Sequence, residues 1–146
     1  MKKNIVVLIS GRGSNLETII SATNKKNFPA KVSLVISNKK AVLGLKIAEK
    51  NSINNLVIEQ KKFFNKDLFE KALINKIIPH DPSLICLAGF MQILSKTFIS
   101  KFRGRIINIH PSLLPNYKGL NTHERAIKAG EKYSGCTIHY VTEELD

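Results

Sequence analysis

An α/β fold with a doubly wound, mostly parallel sheet and helices on both faces is predicted, and two observations predict it. Short β-rich runs alternate along the chain with amphipathic stretches of helical period, a pattern that right-handed crossovers turn into a parallel sheet. The run Val6 to Ile9 is also uniformly apolar, as a strand buried on both faces must be.

The elements follow in order. A strand over Asn4 to Ser10 leads into a helix from about Asn15 to Thr23, and a second strand, Val32 to Ser37, leads into a helix through Leu43 to Lys50. A short strand near Leu56 to Ile58 precedes a helix over Lys66 to Ile78, which Pro79 and Pro82 close. Next come a strand at Leu84 to Ala88, a helix near Ser95 to Lys101 and a strand at Arg105 to Asn108. A helix near Thr122 to Gly130 has Gly130 as its C-terminal cap. In the last strand, Gly135 to Val141, Cys136, Ile138 and Tyr140 face one way and Thr137, His139 and Val141 the other, so the sheet ends in a mixed or edge region.

Composition narrows the class. With 146 residues, 43% hydrophobic and 23% charged, residues 1–146 are expected to form one globular domain with a real core. The apolar runs are too short to span a bilayer and no cleavage site follows Lys2 and Lys3, which predicts a cytoplasmic protein without a membrane partner. Cys86 and Cys136 lie in apolar, strand-like segments without metal or redox spacing, so both are expected to be small buried hydrophobes. The formal charge of +12 invites a nucleic-acid partner. The lysines are spread over the whole chain without a basic arm, however, and a solvated surface around a site for anionic small molecules is the better reading.

Two motifs carry chemistry. The first strand ends in Ser10-Gly11-Arg12-Gly13-Ser14-Asn15, where glycines permit a sharp turn and Ser14 or Asn15 can cap the next helix, leaving N–H groups for a phosphate. Leu16 stands where a dinucleotide fingerprint needs a third Gly, no acidic residue ends the second strand, and no Gly-Lys-Ser/Thr follows. A phosphate monoester therefore fits better than NAD or ATP, with a tight turn holding no ligand as the plain alternative. In the second motif the apolar run Arg105-Ile106-Ile107 delivers Asn108 and His110 to a loop made rigid by Pro111 and Pro115. An amide and an imidazolium two residues apart can stabilise an oxyanion developing on a carbonyl, given a carboxylate to support the imidazolium. The acidic run Thr142 to Asp146 is a candidate source, with a solvated turn as the alternative. His80 is expected to be solvated, His139 to be bonded within the sheet, and His123 to cap a helix or line a crevice.

Four segments in order then resemble the phosphoribosylglycinamide formyltransferases: Ile5 to Asn15, Leu87-Ala88-Gly89-Phe90-Met91, Ile107 to Pro115, and Val141 to Asp146. The resemblance covers the whole chain. It implies that Gly13, Ser14 and Asn15 hold the phosphate of glycinamide ribonucleotide and that Met91, Gln92, Ile93 and Leu94 lie along the pterin of 10-formyltetrahydrofolate. It also implies that Lys66 faces the anionic tail of that donor, that Asn108 and His110 are catalytic, and that Asp146 supports the histidine. Asn108 and the segment Thr142, Glu143, Glu144, Leu145 and Asp146 complete the donor site, and no metal is required. Asn121 and Gln92 depart from the His and Arg often found there.

Members of this family continue past the Asp with further strands and a helix, so the resemblance also implies a C-terminally truncated catalytic domain. Weak activity and a tendency to associate are the corresponding expectations. The competing readings are a methionyl-tRNA formyltransferase-type domain, which shares the His-Pro-Ser-Leu-Leu-Pro loop, and a non-catalytic nucleotide-binding module. Against the first, Tyr117-Lys118-Gly119-Leu120 lacks the Gly-Ala-Ala-Pro stretch of that enzyme.

Overall fold

In a computed structural model, which describes residues 1–144, the chain forms two compact units, Met1–Leu94 and Ser95–Asp146. The first unit has four strands, β1 (Lys3–Ile9), β2 (Ala30–Ser37), β3 (Asn55–Val57) and β4 (Leu84–Leu87), in the order β3-β2-β1-β4. All of its ladders are parallel. In central β1, Val6, Val7, Leu8 and Ile9 have no exposed surface.

Three helices connect these strands: α1 (Ser14–Thr23), α2 (Leu43–Lys50) and α3 (Lys66–Ile77). The chain winds outward from β1 through β2 to β3, then crosses back to β4 on the other side of β1. Right-handed crossovers consequently place α1 and α2 on one face and α3 on the opposite one. Helix α3 buries Phe69, Leu73 and Ile77, spaced by four and so on one stripe. It starts behind Asn65, whose Oδ1 accepts the N–H of Leu68 at 2.9 Å. This reversal makes the carboxyl ends of β1 and β4 the topological switch point, where open α/β sheets bind ligands.

The second unit holds α4 (Lys96–Lys101), β5 (Ile106–His110), α5 (Thr122–Lys128) and β6 (Thr137–Tyr140). Strands β5 and β6 are antiparallel, which matches the expected mixed end of a mostly parallel α/β fold. Gly130 takes a positive φ just past α5, and its N–H reaches Ile127 O at 3.0 Å, the expected cap.

Three local expectations are corrected. Strand β5 runs on to His110 because β6 supplies a partner as far as Thr137, so the polar pair lies within the strand. His80 is half-buried rather than solvated, its Nδ1 lying 3.1 Å from Ser33 Oγ. The Ser33 hydroxyl sits where the β1–β2 register slips, between Ile5 and Val6. Of the cysteines, Cys86 is buried but Cys136 is exposed, because the inward side chains of β6 are the polar ones and Cys136 precedes exposed Ile138 and Tyr140 in the alternation.

Burial pushes the Cys86 thiol up from its ordinary value near 9 to about 11. The folded state therefore holds this proton more tightly than the unfolded one. Its contribution to stability is intact below about pH 9 and fades as pH rises towards about 11. Alkylation of the native protein at pH 8 should modify Cys136 quickly and Cys86 only after denaturation, which peptide mass mapping will establish. Equal reaction of both thiols would contradict this packing.

Candidate functional site

The first cluster lies at the carboxyl end of β1. Gly13 adopts φ 80° and is the N-cap of α1, so neither Ser14 nor Asn15 is the capping residue, and no side chain caps the helix. The first-turn amides thus lack a side-chain acceptor, and Ser14 and Asn15 are exposed beside them. Tight packing fixes the turn. A Cβ added to Gly13 would come within 2.6 Å of Gly44 Cα, because the start of α2 rests on it. Gly44 N–H also donates to Gly11 O at 3.1 Å.

At the end of β4, Gly89 turns the chain with φ 73°. Phe90 and Leu94 are buried, whereas Met91 and Ile93 are 60% and 69% exposed. An apolar, solvent-facing edge of this kind suits a flat organic ring. Lys66 is the first residue of α3 and half-buried, a position where the helix dipole disfavours a cation. Helix stability therefore does not explain it.

The second cluster lies in the second unit. Asn108 and His110, two apart on β5, point to the same side. His110 is buried, and its Nε2 lies 2.8 Å from the carbonyl oxygen of Tyr117. A carbonyl only accepts, so Nε2 carries a proton. Opposite Asn108 in the ladder stands His139. His139 Nδ1–H donates to Tyr140 O at 3.1 Å, which leaves Nε2 as an acceptor facing Asn108 Nδ2 at 3.5 Å.

Side chains aimed at carbonyls hold the loop after β5. Thr122 Oγ1 donates to Pro111 O at 2.6 Å, and Thr137 Oγ1 donates to Ser112 O at 2.7 Å while accepting from Leu114 N. Arg125 donates to the carbonyls of Lys118 and Leu120 and stacks its guanidinium 5.4 Å from the Tyr117 ring. The Tyr117 hydroxyl donates to Glu131 at 2.7 Å, a bond that holds its proton above the ordinary tyrosine range. Tyr117, at φ 55°, is thus fixed at both ends, and its carbonyl orients His110.

None of Tyr117, Arg125, Thr137 and His139 stood out in the sequence as a supporting residue. Only the alternation of the last strand, which puts His139 and Thr137 on one face, gave a signal. In the acidic segment, Glu143 reaches Lys96 at 3.8 Å and Thr142 Oγ1 accepts from Glu144 N. Leu145 and Asp146, expected to line the donor site and to support His110, lie outside the described residues.

Among the described residues no three His, Cys, Asp or Glu side chains are grouped to hold a metal ion, and no helix is long and apolar enough to cross a membrane.

Against known proteins, residues 3–146 match the family model described as formyl transferase. The chain belongs to the formyl transferase family.

Within the formyl transferase family it is 47% identical to a phosphoribosylglycinamide formyltransferase of Haemophilus influenzae, over 99% of this chain and 68% of that protein. A human trifunctional purine biosynthetic protein, adenosine-3, is 46% identical over 99% of the chain, which spans only 14% of its length. Solved formyl transferase structures agree. That of phosphoribosylglycinamide formyltransferase from Brucella melitensis superposes with a TM-score of 0.95 at 45% identity, covering 98% of this chain and 74% of that one. The Coxiella burnetii counterpart gives 0.94 at 49% identity, covering 100% and 68%. Formyl transferases use a formyl donor, which gives carbonyl chemistry a place in this fold.

The two glycines of the first cluster make an ordered prediction. Gly13→Ala meets backbone and a positive φ and should destabilise the protein by about 1–3 kcal/mol. Gly44→Ala should cost less, since its φ is not positive, the nearest atom its Cβ meets is the far end of the Ile9 side chain with Gly11 O at 3.1 Å, and the helix gains a better helix former. Thermal melting of both variants checks the order, and equal Tm values would contradict it.

Proposed function

We propose that the chain transfers the formyl group of 10-formyltetrahydrofolate to the amine of glycinamide ribonucleotide, a step of purine biosynthesis. The observation that carries this reading is the Asn108–His110 pair, set on one side of β5 with both groups held from behind, in a chain of the formyl transferase family. The amine attacks the formyl carbon, giving a tetrahedral oxyanion that the Asn108 amide and the His110 imidazolium stabilise. The bond from the formyl carbon to N10 then breaks, the new amide remains on the ribonucleotide, and a proton passes from the amine to N10.

Each other residue has a role in this scheme. The turn Gly13, Ser14 and Asn15 binds the phosphate through the first-turn amides of α1. Met91, Gln92, Ile93 and Leu94 lie along the pterin, Lys66 meets the anionic tail, and Thr142 to Asp146 complete the donor site, with Asp146 supporting His110. The partners are small molecules in the cytoplasm and not nucleic acid. The spread of lysines over the chain supports this, as does a turn shaped for one phosphate.

Asn108→Ala and His110→Ala should each lower kcat by about a hundredfold to a thousandfold, with circular dichroism unchanged. A formyl-transfer rate near that of the unsubstituted protein in either variant would overturn these roles.

A further inference from the structure

A buried polar relay at the carboxyl edge of the first unit has no role in the scheme above. Ser10, the residue after β1, donates its hydroxyl proton to Asn38 Oδ1 at 2.6 Å and accepts the backbone N–H of Met91 at 2.8 Å. Ser10 and Asn38 are 5% and 7% exposed, so neither bond is replaced by water at low cost. A hydroxyl has one proton. With that proton committed to Asn38, only a lone pair faces Met91, and the direction of the whole relay is set by Asn38 presenting its oxygen.

The placement of the relay matters as much as its burial. The last backbone bond from β4 to β1 is Ala88 N–H to Leu8 O, and beyond it Gly89 turns the chain away from the sheet. Met91 N–H thus has Ser10 as the acceptor that continues the link to β1. Phe90 and Leu94 anchor the segment by burial, but two apolar anchors leave it free to rotate about the line between them. The bond to Ser10 removes that freedom and fixes which way the exposed Met91 and Ile93 side chains face. Asn38 is itself tied to the sheet, its N–H donating to Ile9 O at 3.3 Å.

We infer that Asn38 is a positioning residue for the formyl donor, acting through Ser10 on the segment Met91–Leu94. This inference rests on the assignment of that segment to the folate. Asn38 touches no substrate. It keeps the Ser10 hydroxyl turned so that Met91 is held, and the apolar edge is presented to the pterin in one orientation.

Asn38→Leu removes the acceptor at similar volume, and Asn38→Asp keeps one. For Asn38→Leu the expected results are faster hydrogen exchange at the Met91 amide, a rise of about tenfold in KM for 10-formyltetrahydrofolate, and KM for glycinamide ribonucleotide within twofold of its original value. Asn38→Asp should restore most of the donor KM, and the core amides of Val7 and Leu8 should stay protected in both variants. Three results would overturn the inference while leaving the proposed function intact: unchanged Met91 exchange, unchanged donor KM, or equal rises in both KM values. Loss of protection at Val7 and Leu8 in Asn38→Leu would overturn it too, since Asn38 would then be holding the fold. Absence of formyl transfer by the unsubstituted protein, with Met91 exchange still accelerated in Asn38→Leu, would sink the functional reading and the donor role together.

Discussion

Strand β1 has to leave the sheet through a turn tight enough for two glycines to touch, and the first unit is arranged around that contact. Val6 to Ile9 are buried from all sides, so the strand cannot shift without exposing the core. Beyond it, Gly13 and the start of α2 at Gly44 approach so closely that a Cβ on Gly13 would clash with the backbone of Gly44. The close approach gives α1 its starting point and its direction. It also makes Gly13 the N-cap, with no side chain competing for the first-turn amides. A ligand phosphate would meet donors already placed by packing, so little ordering would accompany its binding.

The second unit achieves rigidity by another route. Its loop after β5 carries few buried apolar groups, and Leu113 and Leu120 are exposed. What holds it is a set of hydroxyl and guanidinium donors, Thr122, Thr137 and Arg125, aimed at backbone carbonyls. His110 is held by the loop's own backbone through Tyr117 O, and Asn108 is met across the strand pair by His139. In the proposed reaction this pair meets developing negative charge, for which donors that need no reorganisation work best, and both are supported from behind.

Much of this was legible in the sequence because strands and helices are local. The β-branched runs, the prolines after α3 and Gly130 after α5 each act through their neighbours, and each marks the boundary it should. What was not legible depends on pairing between distant residues. His110 looks like a loop residue because nothing nearby announces that β6 will pair with β5 beyond Asn108. Cys136 looked buried because its segment is apolar, yet the pairing turns that face outward. Gly13 displaced Ser14 as the cap because of a contact with Gly44, thirty-one positions away. The Asn38–Ser10–Met91 relay joins three strand ends and leaves no local pattern at all.

In the proposed function the turn at the end of β1 receives the substrate phosphate. Amide resonances of the 15N-labelled protein, followed as glycinamide ribonucleotide is added, test it directly. The largest shifts should fall on Gly13, Ser14 and Asn15, and inorganic phosphate should move the same three amides less. Saturable binding that leaves these amides unmoved while others shift would place the phosphate elsewhere.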